Sequence, residues 1–350
     1  MKFMLRSLLL LLMPACLFAQ PKPKKYRAKD MSAYLMVYFK DADHSLHFAL
    51  SKDGHSFTDV NKGEAVIKGD TISEQKGIRD PYIYRAPDGM FYMALTDLHI
   101  YAQKEGLRNT LWERDAEKYG WGNNRGIVLM KSADLIHWSH TVLRVDTAFP
   151  ELADIGCAWA PELIYDDVNK KTMMYFTVRF GNGKCKVYYT YMNKEFTAME
   201  TLPKPIFEHP KGKEYIDADI TKVGTKYHMF YASHDAPSNI KQAVSDSLTS
   251  GYVYDSTRVD SEKGGDEAPT VYKLIGENKW ILVYDIYSIK PHNFGFSETA
   301  DFVTFKNLGH FNEGVMKSTN FTSPKHPAII QITQKEALRI ADNWKMEMTF

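Results

Sequence analysis

The chain has 350 residues, longer than a typical compact domain of roughly 100–200 residues unless the fold is a barrel or a propeller. With 44% hydrophobic and 25% charged residues it is not a disordered composition, and 44 basic against 43 acidic side chains without a basic stripe exclude a nucleic-acid surface. Aromatics reach 13%, including 21 Tyr and 6 Trp, which suits β-strands and also the packing of ring faces against sugars.

The first residues read as a targeting segment. Lys2 and Arg6 give a basic start, Leu8 to Leu12 an apolar run, and Leu17-Phe18-Ala19 a small-residue exit. The run is too short to span a bilayer permanently. The expected organisation is a signal peptide over 1–19, a Lys/Pro-rich leader over 20–32 and a single domain over 33–350. An exported, periplasmic or extracellular protein is expected, monomeric and without an integral membrane segment after cleavage. Lipid attachment through Cys16 is the alternative, although Met13-Pro14-Ala15 is a poor context for it. Cys157 and Cys185 then remain, and both a disulfide and two buried free thiols fit the sequence.

Next come strands without an obvious first partner. Tyr34 to Phe39 and Leu46 to Leu50 read as strands, and Phe57 begins another. Beyond them a pattern recurs: Asp80-Pro81-Tyr82-Ile83-Tyr84, Ala160-Pro161-Glu162-Leu163-Ile164, Asp217-Ala218-Asp219-Ile220-Thr221, Ala268-Pro269-Thr270-Val271-Tyr272 and His326-Pro327-Ala328-Ile329-Ile330. With Pro81, Pro161, Ala218, Pro269 and Pro327 as markers, the steps are 80, 57, 51 and 58 residues. A four-stranded propeller blade takes about 40–50 residues, so the first step carries an insertion, Leu98 to Asn124, expected to shape a rim.

Each of the first four segments is followed by an apolar strand: Phe91 to Leu95, Met173 to Thr177, Tyr227 to Tyr231 and Trp280 to Tyr284. Third strands follow at Gly126 to Lys131, Lys186 to Tyr191, Ile240 to Val244 and Phe294 to Phe296. The fifth segment leads only to a tail with helical spacing, Lys335 to Trp344. The N-terminal strands therefore complete the last blade. The fold class expected is all-β, a five-bladed β-propeller whose closure removes exposed sheet edges; a β-sandwich is the structural rival.

Inner strands of a propeller start at the central channel. Asp80 and Asp217 immediately precede their markers and Glu267 sits two residues before Pro269, so acids separated by 137 and 50 residues converge. Crowded acids shift one another, so that one can stay protonated beside an ionised neighbour. Any one of these acids alone would be read as a turn cap. Three at matching phase point to chemistry.

Together Ile78-Arg79-Asp80-Pro81-Tyr82-Ile83, Trp159-Ala160-Pro161-Glu162, Tyr215-Ile216-Asp217-Ala218-Asp219-Ile220 and Asp266-Glu267-Ala268-Pro269-Thr270-Val271-Tyr272-Lys273 resemble glycoside hydrolase family 43, over about Tyr34 to Thr333. The resemblance implies an inverting hydrolase of plant oligosaccharides or polysaccharides, most nearly an α-L-arabinofuranosidase, with β-D-xylosidase and exo-β-galactosidase as alternatives. It gives Asp80 as general base, Asp217 as the acid that tunes the proton donor, and Glu267 as general acid. His326 matches a channel histidine that contacts calcium in many members.

Three departures stand out. Glu162 adds a fourth acid, Asp219 competes with Asp217 for the second role, and Lys325-His326-Pro327 replaces an Arg-His-Gly-like run, which weakens the calcium expectation. Trp159, Arg79, Asn124, Arg125, Glu162 and Asp219 are the expected sugar contacts. A retaining fructan-type propeller enzyme and a non-catalytic glycan-binding propeller are the other readings.

Overall fold

The structure is a computed structural model describing residues 26–107, 114–234 and 238–347. The signal peptide, Cys16 and the first six residues of the leader lie outside the described residues. Five antiparallel sheets follow one another around a ring. Blade I comprises, from the inner strand outward, Ile78–Arg85, Phe91–Asp97, Gly126–Ser132 and Ser139–Arg144. Blade II comprises Ile155–Asp166, Lys171–Phe180, Lys186–Tyr191 and Lys204–Pro205. Blade III comprises Tyr215–Val223, Lys226–Ser233, Asn239–Ser245 and Val253–Asp255. Blade IV comprises Asp266–Lys273, Trp280–Ile286, Asn293–Thr299 and Lys306–His310. Blade V takes its inner strand from the C-terminal side, Lys325–Thr333, and its next three from the N-terminal side, Met31–Phe39, His47–Ser51 and Ser56–Asp59.

That closure matches the sequence expectation. One strand was not foreseen: Lys317–Ser318 adds to the outer edge of blade V, pairing in parallel with Ser56 and Phe57. Five apolar clusters fill the seams between neighbouring blades. Leu35, Val37, Ile83 and Met93 belong to one cluster, between blades V and I, and Ala94, Leu129, Leu163 and Phe176 to the next. Middle strands are therefore buried on both faces, which is why they read as apolar runs rather than alternations. Cys157 and Cys185 are free thiols buried in the cluster between blades II, III and IV.

The tail Gln334–Asn343 is a helix opened by a capping box, in which Thr333 and Glu336 satisfy each other's backbone donors. Glu336 also pairs with Arg85 at 2.6 Å, so one carboxylate joins blade V to blade I at the closure point.

The inner strands share one irregularity. Arg79 pairs with Thr96 and Tyr82 with Ala94, so three steps on the inner strand face two on its neighbour. The same count separates Trp159 from Glu162, Ile216 from Asp219, Glu267 from Thr270, and Lys325 from Ala328. Each blade thus carries a β-bulge at its channel end. The first bulge residue adopts positive φ in all five: Asp80 at 51°, Ala160 at 44°, Asp217 at 53°, Ala268 at 54° and His326 at 46°. The second is Pro81, Pro161, Ala218, Pro269 or Pro327, where the ladder needs no N–H donor, so proline costs nothing. The sequence markers are the bulges.

Candidate active site

Because every blade repeats the bulge, side chains at equivalent positions form rings around the channel. The positive-φ residues make one ring: Asp80, Ala160, Asp217, Ala268 and His326. The residues just before them make a second ring nearer the mouth: Arg79, Trp159, Ile216, Glu267 and Lys325. A third ring, two residues beyond the first, holds Tyr82, Glu162, Asp219, Thr270 and Ala328. Glu267 therefore belongs to a different ring from Asp80 and Asp217, which explains its one-residue offset from the repeat.

Arg79, Asp80, Trp159, Ile216, Asp217 and Glu267 line one pocket with Leu98 and Trp121, with about 440 Å³ of empty space up to its mouth. Larger hollows exist on the outer surface, such as that bounded by Pro87, Tyr92 and Phe196. None of them holds the acids that the repeat brings to the channel ends of the inner strands, so chemistry rather than size picks out the channel pocket.

The two acids of the first ring sit in opposite electrostatic environments. Asp80 receives a 2.7 Å hydrogen bond from the Thr96 hydroxyl, and its other oxygen lies 3.2 Å from His326 Nδ1. Burial would raise its pKa, yet the His326 charge and hydrogen bond, together with Arg79 and Thr96, hold it well below the usual carboxylate range. For His326, burial favours the neutral ring, but Asp80, Asp217 and Glu267 outweigh it and raise its pKa. Among the described residues the Asp217 carboxylate has no such close partner. Burial pushes its carboxyl up to about 8, opposed by His326 and reinforced by the charges of Glu267 and Asp80.

Glu267 faces Lys325, whose Nζ lies 3.4 Å from Glu267 Oε1 and 3.5 Å from Asp285 Oδ2. Asp285, on the strand paired with Glu267, is pushed up to about 7 by burial, with Lys325 opposing and Glu267 adding. Arg79 is fixed from behind by a 2.8 Å bond to Asp41 and by the Phe39 ring 4.6 Å from its guanidinium carbon. The bulges are braced between blades. Thr96 accepts from the Ala160 N–H at 2.8 Å, Thr177 from the Asp217 N–H at 3.1 Å, and Asp285 from the His326 N–H at 3.3 Å.

Five of the expected residues, Asp80, Asp217, Glu267, Arg79 and Trp159, come together in the pocket. Four do not. Asn124 is fully buried; it donates to the carbonyls of Gly126 (3.0 Å) and Ala158 (2.9 Å) and accepts from the Ala158 N–H (2.7 Å), so it clasps the insertion to blade II. Arg125 faces Asp146 at 3.7 Å, outside the pocket. Glu162 and Asp219 belong to the third ring and are each 1% exposed. The bulge adds one residue to the alternation, which turns them into the channel beyond the pocket rather than toward its rim. Sequence reading missed Thr96 and Asp285, although aligning the second strands by blade would have placed both opposite second-ring residues. Lys325 was noted only as a departure from a motif.

Glu162 and Asp219 touch each other in a buried network. The Tyr175 hydroxyl donates to Glu162 at 2.8 Å and accepts from the Ile220 N–H at 2.9 Å; Asp219 accepts from the Thr221 hydroxyl and the Val271 N–H, both at 3.2 Å. Burial raises Glu162 well above its ordinary value, with Asp219 adding, and pushes Asp219 up to about 7. Such acids hold more protons folded than unfolded, so their contribution to stability falls as pH rises from about 4 through the folded pKa. Asp80, depressed, works oppositely and costs stability only below about pH 4. Glu162→Gln keeps the hydrogen bonds but cannot ionise. Urea midpoints should show the wild-type protein less stable at pH 8 than at pH 5, with that gap about 1–3 kcal/mol smaller in Glu162→Gln. An identical gap in both proteins would contradict the buried-pair reading.

Few of the described side chains are placed to hold the calcium ion that the resemblance implies. His326 directs Nδ1 at Asp80, and among the described residues no three His, Cys, Asp or Glu side chains are arranged to hold a metal. A hard cation such as calcium also asks for six to eight oxygens.

Comparison with known proteins bears on the fold and the family. A family model for family-43-related chains, described as a probable glycosyl hydrolase domain, matches residues 29–337. A curated α-L-arabinofuranosidase of Bifidobacterium longum subsp. longum is 22% identical over 205 residues, 51% of this chain. The chain spans only 17% of that relative's length. Among solved structures, an endo-1,4-β-xylanase from Bacteroides thetaiotaomicron superposes with a TM-score of 0.55 at 14% identity, covering 83% of this chain and 97% of that one. A family 43 β-1,3-galactosidase gives 0.54 at 12% identity, covering 76% and 54%. Through the family match over most of its length, carried on a five-bladed propeller, the chain belongs to the family-43-related glycosyl hydrolases.

Proposed function

We propose that this protein is an exported, inverting exo-glycosidase that removes a pentose from plant oligosaccharide or polysaccharide side chains, as an α-L-arabinofuranosidase. One observation carries the reading: Asp80, Asp217 and Glu267 share a single pocket in which one first-ring acid is held ionised and the other protonated. Asp80 takes a proton from a water that attacks the anomeric carbon, and Glu267 gives a proton to the departing glycosidic oxygen. The raised pKa falls on Asp217 rather than leaving it the charged tuner expected from sequence. Asp217 therefore keeps its proton up to about pH 8 in the pocket it shares with Glu267. Lys325 keeps Glu267 in place.

The test is hydrolysis of aryl α-L-arabinofuranoside, β-D-xyloside and β-D-galactoside, with and without chelator, the anomer of the first product being read by NMR. Release of arabinose with inverted configuration, unchanged by chelator, supports the proposal. A retained anomer would assign a double displacement, and glycan binding without any product would assign a binding propeller.

A further inference from the structure

Trp121, in the insertion between the second and third strands of blade I, is 66% exposed, the most exposed aromatic among the described residues, yet it lines the mouth of the pocket. A tryptophan this exposed forgoes burial of a large apolar surface. Its backbone, however, is seated firmly. Arg179 donates to the carbonyls of Tyr119 and Trp121, each at 2.8 Å, and Trp159 Nε1 donates to the Gly122 carbonyl at 2.9 Å. Gly120 and Gly122, at φ of 80° and 62°, let the turn close against these partners. A Cβ on Gly120 would lie 2.6 Å from the Arg179 guanidinium carbon, and one on Gly122 3.1 Å from the Trp159 ring. The Trp121 and Trp159 rings stand edge to face, with centroids 6.0 Å apart and planes at 68°. They form an aromatic corner, Trp159 half-buried in the pocket wall and Trp121 at its lip.

From this corner we propose a second sugar-binding position: Trp121 is the platform for the sugar unit on the leaving-group side of the scissile bond. The proposal rests on the glycosidase reading above. The third-ring network of Tyr82, Glu162 and Asp219 fills the channel beyond the acids, so the glycone enters from the mouth and the rest of the substrate leaves across it. The first surface it meets is an indole face whose ring partner among the described residues is Trp159. Sugar rings present an apolar C–H face that packs on such a surface, and a platform already pinned loses little entropy on binding. Trp121 is thereby a specificity residue that favours chains over simple glycosides.

The experiment compares a methyl glycoside with an oligosaccharide that carries the same glycone and at least two further sugars. Trp121→Ala should lower the ratio of kcat/KM for the oligosaccharide to that for the methyl glycoside by roughly five- to tenfold, mainly through KM, the scale of one aromatic contact. Trp121→Tyr, which retains a ring and guards against misfolding of the alanine variant, should restore most of the ratio. A ratio within twofold of wild type in Trp121→Ala overturns the platform. If the wild-type protein cleaves neither substrate, the glycosidase reading fails separately. Calorimetric titration with the same oligosaccharide then decides the platform alone: weakened binding in Trp121→Ala upholds it, and equal affinity removes it.

Discussion

Replacing Asp80 with asparagine should lower kcat/KM by about 10²–10⁴-fold on every glycoside the native protein cleaves, the usual worth of a general base. The fold should persist, because asparagine tolerates the positive φ of 51° that the bulge imposes as readily as aspartate does. It can still accept from Thr96, which in turn stays bound to the Ala160 N–H. What it cannot do is take a proton. The wild-type acid limb should lie below the ordinary carboxylate pKa of about 3.9, since His326, Arg79 and Thr96 together overcome burial and keep Asp80 charged. Activity is thus present above that point and lost as pH falls through the folded pKa. Initial rates alongside a circular-dichroism melt check both parts, and a variant within tenfold of wild type on all substrates would remove Asp80 from the chemistry.

The same bulge explains what the sequence could and could not reveal. Pro81, Pro161, Pro269 and Pro327 are legible because a position without a ladder hydrogen bond tolerates proline, and Ala218 falls at the same phase. Counting from those positions located Asp80 and Asp217, and closure followed from an inner strand at the C-terminus lacking its neighbours. Glu162 went astray because simple alternation ignores the extra residue of each bulge, and Asp219, set beside Asp217 as a rival for one role, falls with Glu162 beyond the pocket. Asn124 was misread for a different reason. A short polar side chain in a loop looks alike whether it meets ligand or backbone, and only the fold brings Ala158, 34 residues away, against it. Thr96 and Asp285 carry no local signal; their roles come from facing the bulge of the next blade.

Glu267→Gln makes the complementary prediction, one that depends on the substrate. On an unactivated oligosaccharide the departing alkoxide needs a proton, and kcat should fall about 10²–10⁴-fold. On an aryl glycoside with a strongly acidic phenol the loss should be far smaller, since that leaving group departs without help. The substituted side chain keeps a carbonyl oxygen for Lys325, 3.4 Å from the present carboxylate, so position is preserved while proton donation is removed. The pH profile separates this from simple damage to the pocket. In the wild-type protein, activity on the oligosaccharide should be present below about pH 8 and lost above it, as Asp217 gives up the proton that the pocket can pass to the leaving oxygen. In Glu267→Gln the activated substrate should lose that alkaline limb, because no proton is needed for its turnover. Equal losses on both substrates, with the alkaline limb intact, would show that Glu267 shapes the pocket without acting as its acid, and the proton donor would then be Asp217 itself, whose carboxyl burial pushes up to about 8 in the same pocket.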